Sequence, residues 1–173
     1  MTPTALLILT IISATLLFGF TILCVCKFGL LTCYSAYGPA WAKITKFNPW
    51  VLVTLLSAFI LMPVTLQMSA GKAWQFTGFL CCAFLMFVAM TPDYDKNKFA
   101  LTIHLIGAEG CGLWSVLYVI FNATHLWWIM LIYLALCGIA ILITGKKYWN
   151  FWLEEAAFLS YFTVIFIIVI SAL

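Results

Sequence analysis

Long apolar stretches recur along the whole chain, and they constrain its fold more than any other feature. Of the 173 residues, 66% are hydrophobic and 8% are charged. A soluble domain needs a polar surface that this composition does not supply. A helix crosses the hydrocarbon core with roughly 20 apolar residues, and non-helical backbone cannot face lipid. The sequence therefore predicts an all-α integral membrane protein.

Six apolar stretches approach the length of a membrane span, and we expect them to form one bundle of six transmembrane helices over residues 1–173. The start of the chain lacks the basic residues that open a signal peptide, and its apolar run is long, so we expect the first stretch to be a span. The predicted spans are residues 5–26, 50–70, 74–90, 99–121, 126–144 and 151–172.

The lysines predict the orientation of the bundle, since the chain has no arginine. Seven of them lie in the first, third and fifth connections, namely Lys27, Lys43, Lys46, Lys96, Lys98, Lys146 and Lys147. Only Lys72 lies on the opposite side. The positive-inside rule then places both termini outside the cytoplasm, in a plasma or inner membrane. Scattered lysines do not form a nucleic-acid surface, so the expected surroundings are the lipid bilayer without nucleic acid.

The first connection, residues 27–49, is aromatic and amphipathic. Pro39 can open a helical turn, after which Trp41 and Ile44 lie on one side and Lys43 on another. This pattern predicts an interfacial helix in the first cytoplasmic connection.

Glu109 lies near the middle of the fourth span, farther from an aqueous edge than any other acidic residue. A carboxylate at that depth is costly unless it is paired, protonated or in contact with water, so it indicates a functional site. A structural hydrogen bond across helices is the alternative. Small residues surround it and favour close helix packing: Gly107, Ala108, Gly110, Cys111 and Gly112.

Other polar residues fall within reach of the same region. His104 lies in the fourth span, and Glu154 and Glu155 begin the sixth span at about the same depth. Because adjacent helical residues point about 100° apart, the two glutamates cannot face one pocket. We expect Glu155 to face it, because it lies closer to the small residues of that helix.

The sequence thus predicts a polar site, open to the cytoplasm, that contains Glu109, His104 and Glu155. Ser115 and Tyr118 could add hydroxyl groups. Structural alternatives remain open: an interhelical hydrogen bond for His104, and for the glutamate pair an interaction with the helix dipole and nearby lysines.

The third connection contains Asp93 and Asp95, which could supply oxygen ligands to a cation or belong to a solvated turn. The seven cysteines lack the paired spacing of a metal site. We therefore predict no metal and no cofactor.

The stretch from Phe84 to Met90, the turn Thr91-Pro92-Asp93 and the run from His104 to Ala108 resemble the middle of six-span membrane proteins of the FRAG/DRAM group and their bacterial relatives. The resemblance implies a six-helix bundle and suggests that His104 and Asp93 are important for function. The chain departs from the group's pattern in Glu109 and in the doubled Glu154-Glu155. The group has no shared reaction, so the resemblance implies no settled activity.

Three classes of function fit these residues. The first is a protein that binds or conducts a small ligand, an ion or a proton, with Glu109 inside the bundle and possible assembly into a homo-oligomer. The second is a structural or regulatory partner of another membrane protein. The third is an intramembrane lipid-modifying enzyme, with His104 and a glutamate as acid and base.

Overall fold

The computed structural model describes every residue from Met1 to Leu173 and contains helices and turns without β-strands. A π-helical segment, Thr15–Gly19, joins the first two α-helices into one continuous stretch. The α-helices are α1 (Pro3–Ala14), α2 (Phe20–Phe28), α3 (Tyr37–Thr45), α4 (Pro49–Met68), α5 (Phe76–Ala89), α6 (Lys98–Asn122), α7 (Trp128–Thr144) and α8 (Trp149–Ser171).

Five helical stretches are long and apolar enough to cross a membrane: Pro3–Phe28, Pro49–Met68, Lys98–Asn122, Thr124–Thr144 and Lys146–Ser171. The chain is thus a polytopic membrane protein, and the predicted all-α membrane class is confirmed.

The predicted span 74–90 is the apolar helix α5, whose 14 residues fall short of the length of a membrane span. At 1.5 Å per residue it is about 21 Å long. A turn at residues 69–75 shortens it on one side. On the other side Pro92 disfavours helical backbone at Thr91, which ends the helix. Five of the six predicted spans therefore reach the required length.

The helices α1, α4, α5, α6 and α8 form a closed ring in which each packs against the next, and α8 returns to α1. Helix α7 lies outside this ring and packs mainly against α8. Apolar side chains from α1, α4, α5, α6 and α8 form the main buried cluster inside the ring. A helix that touches several neighbours must be apolar on several sides, which is why α8 is buried along much of its length.

The connections gather at two ends of the bundle, as the lysine pattern predicts. At one end the backbone N–H of Phe151 donates to the carbonyl of Thr32, 3.1 Å away, which joins the first and fifth connections. At the other end Lys72 Nζ donates to the carbonyl of Asn122. Seven lysines lie at the first end, which we call the lysine-rich end. Its location in the cytoplasm stays a prediction.

The first connection contains the expected short helix, α3. Trp41 on this helix donates from Nε1 to Cys24 Sγ at 3.1 Å, and its ring lies 3.9 Å from Lys27 Nζ. These contacts hold α3 against the end of α2. The position of α3 in the membrane interface stays a prediction.

Candidate functional site

A cavity of about 50 Å³ lies inside the helix ring near the lysine-rich end. A site for one water needs ~10–15 Å³ of such volume, so the cavity has room for about four waters. It extends along α6 from His104 to Ser115, about 16 Å at 1.5 Å per residue. Its walls are Tyr34, Ser35, Trp50, Leu85, Val88, His104, Ala108, Cys111, Gly112, Ser115, Glu154, Ala157 and Phe158.

Glu154 is the only acidic residue in the cavity wall. Its Oε2 accepts a hydrogen bond of 2.7 Å from the backbone N–H of Tyr34, which fixes the carboxylate against the first connection. No cation of the protein pairs with it, because the one ion pair in the chain joins Lys96 to Asp93. The cavity therefore presents a carboxyl group with no protein cation beside it.

His104 is 4% exposed and is held in one orientation by two contacts. Its ring stacks on Tyr94 with centroids 4.0 Å apart, and its Nδ1 lies 3.1 Å from Thr91 Oγ1. We assign the tautomer with a proton on Nδ1, in which the Thr91 hydroxyl donates to the carbonyl of Phe87 or Val88 and accepts from Nδ1. Neutral imidazole then carries its lone pair on Nε2, which has no partner in the protein. Burial also raises the pKa of Tyr94 above its ordinary value.

Aromatic side chains form one side of the cavity. The ring of Tyr34 lies 5.8 Å from that of Trp50 and 5.5 Å from that of Phe158, with interplanar angles of 61° and 55°. Tyr34 and Trp50 are 2% and 4% exposed, yet Tyr34 Oη and Trp50 Nε1 have no hydrogen-bond partner. Buried polar atoms without a hydrogen-bond partner are uncommon in protein interiors, so these two atoms distinguish the aromatic side of the cavity from an ordinary apolar core.

The cavity contains some of the predicted site residues and not others. His104, Ser115 and Glu154 line it. Tyr118 is buried beyond Ser115, where its ring meets Tyr161 edge to face at 5.3 Å. Glu154 therefore occupies the place that we expected for Glu155.

Glu155 lies on another side of α8, about 100° around the helix from Glu154. It borders apolar grooves against α7 and against α2, with walls that include Tyr133 and Val25. Its Oε2 is buried without a hydrogen-bond partner. The prediction that Glu155 shares a pocket with His104 does not match this geometry.

Glu109 is exposed on the outer face of α6 and does not line the cavity. The small residues beside it pack elsewhere. A Cβ added at Gly107 would lie 3.0 Å from the Phe84 carbonyl, and one added at Gly110 would clash with the Phe84 ring. The close approach of α5 therefore uses the opposite side of α6. Glu109 and His104 do not share a site within one chain.

The two loop aspartates lie in a surface groove with lysines of α3 and of the third connection. Asp93 Oδ1 accepts from Lys96 Nζ at 2.7 Å, and this carboxylate raises the pKa of Lys96. Both aspartates are exposed and outside the cavity. Their suggested role as cation ligands stays a prediction.

Sequence reasoning missed the aromatic part of the wall. Tyr34, Trp50 and Phe158 come from the first connection, α4 and α8, so no spacing in the sequence relates them. Tyr34 and Trp50 are also ordinary residues near a membrane interface. Contacts between distant parts of the chain bring this wall together, among them the hydrogen bond between Tyr34 and Glu154, 120 residues apart.

The fold and this site define the class of the chain as a polytopic membrane protein with a cavity inside its helix ring. No protein-family model matches the sequence, and comparison with curated proteins and with solved structures found no significant match. The resemblance to the FRAG/DRAM group therefore stays a prediction.

Proposed function

We propose that this protein binds a small polar ligand within the membrane, in the cavity between α4, α5, α6 and α8. The observation that carries the proposal is that Glu154 and His104 both line one cavity and both keep hydrogen-bonding capacity that no protein group uses. Unpaired polar groups in an apolar surrounding are costly, so they mark a place where a ligand or ordered water completes their hydrogen bonds.

The geometry favours binding over conduction. Beyond Ser115 the interior of the ring is filled by Tyr118 and Tyr161, which are 0% and 1% exposed. A continuous path for a small ligand would require both rings to move. A cavity that is closed at one end instead suits a binding site that is entered from the lysine-rich end.

In this proposal, α5 spans the membrane as the sixth helix of the bundle. At its start Trp74 stacks on Phe121 with centroids 4.1 Å apart, and Thr91 beyond its end contacts His104. These contacts lie at opposite ends of α6. The six helices would then place the cavity on the cytoplasmic side of a plasma or inner membrane, in accord with the lysine distribution.

Gly112 offers a sharp test, because a Cβ there meets no atom within 4 Å and the residue lines the cavity. Gly112→Leu should fill the cavity without a backbone clash. Gly138→Leu is the matched control, since Gly138 on α7 is equally open but lies outside the cavity.

The experiment measures thermal unfolding of the purified protein with millimolar ammonium, carboxylate, phosphate and polyol solutes. A solute at 100 times its Kd stabilises by about 2.7 kcal/mol. We expect at least one solute class to stabilise the wild type and Gly138→Leu but not Gly112→Leu. If no class does so, or if every shift survives Gly112→Leu, the proposal is wrong.

A second candidate function is assembly, and the exposure of Glu109 favours it. Glu109 stands in an outward stripe on α6 with Leu101, Leu105 and Leu113, spaced four residues apart. A charged side chain at the centre of a membrane helix costs about 2.5–3.5 kcal/mol on insertion scales. A second copy of the chain related by a two-fold axis would place the same stripe against itself and bring the two Glu109 carboxyl groups together.

The oligomeric state of the protein in lipid bilayers tests this second candidate. Single-molecule photobleaching should find dimers of the wild type, fewer dimers of Glu109→Leu, and more dimers of Glu109→Gln than of Glu109→Leu, since Gln keeps a hydrogen bond across the axis. Monomers of the wild type, or equal dimerisation of Glu109→Leu, would exclude it.

A further inference from the structure

We propose that the ligand of the cavity is a small protonated amine. This inference rests on the proposed function and adds the chemical class of the ligand. It follows from three properties of the wall: the hydrogen-bonding groups that are free, the faces of the aromatic rings, and the small volume.

Tyr34 Oη and Trp50 Nε1 also lack partners, but both atoms are enclosed by the protein. The polar groups that remain open to a ligand are those of Glu154 and His104, and both are acceptors. Glu154 uses Oε2 for the Tyr34 N–H, and Oε1 has no partner in the protein. His104 donates from Nδ1 to Thr91, which leaves the Nε2 lone pair. An ammonium group is a pure donor with three N–H bonds and a positive charge. It therefore complements both groups, and it supplies the counter-ion that Glu154 lacks.

The aromatic wall suits a cation. The Tyr34 ring is inclined 61° to Trp50 and 55° to Phe158, so the three rings do not form one flat surface. One face of Tyr34 stacks on Phe151, which leaves Trp50 and Phe158 as the rings most free to meet a ligand. The faces of aromatic rings carry negative electrostatic potential and attract ammonium groups, most strongly where water is excluded. An alkyl group on the nitrogen would meet the apolar residues Leu85 and Val88.

The volume and the ligand count argue against other cations. Space for about four waters corresponds to roughly 120 Å³ of liquid, which fits an alkylamine of a few heavy atoms. A hard metal cation requires six or more oxygen ligands, whereas the side chains of the wall provide one carboxyl group, two serine hydroxyls and the Tyr34 hydroxyl. An anion would face that carboxylate without a protein cation beside it.

The test is isothermal titration of the purified protein at neutral pH with propylammonium, tetramethylammonium, propanol and propionate. Propanol has nearly the shape of propylammonium without its charge, and tetramethylammonium has the charge without an N–H. We expect propylammonium to bind at least about tenfold more tightly than each of the other three, because hydrogen bonds to charged groups and cation–π contacts act together.

Binding of propylammonium to variants of the protein tests whether the amine occupies the cavity. Glu154→Gln keeps an acceptor for the Tyr34 N–H but removes the charge, and should weaken propylammonium binding about tenfold or more. Glu155→Gln is the matched control, since this neighbouring carboxylate lies outside the cavity, and should change binding less than twofold. Phe158→Leu should weaken binding about threefold. Thermal unfolding of each variant verifies that it is folded.

The outcomes separate this inference from the proposed function. If propanol or propionate binds as well as propylammonium, and Gly112→Leu abolishes that binding, the assignment of a protonated amine as the ligand is wrong. The proposal that the cavity binds a ligand is then retained. If Glu154→Gln binds propylammonium as the wild type does, the assigned site of the amine is wrong. If no solute binds in a manner that Gly112→Leu abolishes, both proposals fail.

Discussion

The carboxylate of Glu154 on α8 accepts a 2.7 Å hydrogen bond from the backbone N–H of Tyr34 in the first connection. This contact ties the start of α8 to the segment that carries the aromatic wall of the cavity. Beside it, the N–H of Phe151 donates to the Thr32 carbonyl, so two hydrogen bonds join the same two parts of the chain. Glu154 thus has both a structural contact and an oxygen that remains open to a ligand.

Removing the Glu154 acceptor should weaken the attachment of the first connection to α8 and lower the stability of the protein. Glu154→Ala leaves the Tyr34 N–H without its partner, which costs about 1–3 kcal/mol, whereas Glu154→Gln retains a carbonyl acceptor and most of the stability. Glu155→Ala controls for loss of a carboxylate from the same helix turn. Thermal unfolding in detergent and protease cleavage within residues 29–36 measure the effect. Equal stability of the Ala and Gln variants at position 154 would contradict the assigned contact.

The orientation of His104 depends on one hydroxyl. Thr91→Val has nearly the same shape but removes the oxygen 3.1 Å from Nδ1, and should destabilise the protein by about 0.5–1.5 kcal/mol. Thr91→Ser restores the oxygen and most of the stability. In nitrogen NMR of labelled histidine, the Nδ1–H signal assigned to His104 should change in the Val variant only. Identical spectra of the Val and Ser variants would refute the hydrogen bond.

Two serines join α1 to α4 inside the ring. Ser13 Oγ lies 2.8 Å from Ser57 Oγ, and each hydroxyl also reaches the backbone carbonyl of the other residue, at 3.0 and 3.2 Å. A double-mutant cycle with Ser13→Ala and Ser57→Ala should give a coupling energy between about 0.6 kcal/mol, the average for polar pairs between membrane helices, and about 1.7 kcal/mol, the largest such value. Strict additivity of the two single variants would mean that the pair is not coupled.

Close packing of α5 on α6 should make Gly110 sensitive to the smallest substitution. Its added Cβ would overlap the ring of Phe84, so Gly110→Ala should cost about 1–3 kcal/mol through overpacking. Gly138→Ala, where the added Cβ meets nothing, should gain up to about 1 kcal/mol of helix propensity. Unfolding midpoints of the two variants should therefore move in opposite directions. A shift of the same sign in both would contradict the packing of this interface.

Hydropathy was sufficient to predict where the helices lie, but not which side of each helix faces the cavity. The long apolar runs predict where helices lie because helical backbone is the only common solution inside lipid. Helix α5 is shorter than its apolar run predicts, since a turn and Pro92 shorten it in ways that an average over 20 residues does not detect. The π-helical segment at Thr15–Gly19 lies in an apolar run whose composition does not distinguish it from an α-helix.

The candidate site required knowledge of which helices are neighbours. Glu154 and Glu155 differ by about 100° of rotation, and only the packing of α8 against α6, α7 and α1 determines which one shares the cavity with His104. Glycines on both sides of Glu109 suggested a buried carboxyl group. Gly107 and Gly110 lie three residues apart on one face of α6, however, and that face meets α5 while Glu109 faces outward.

The most direct test is an experimental structure of the purified protein in a lipid bilayer, at a resolution that shows ordered water and small ligands. We predict non-protein density inside the helix ring, within hydrogen-bond distance of Glu154 Oε1 and His104 Nε2. A ring interior in which apolar side chains fill this space, or in which Glu154 turns away from His104, would contradict the account.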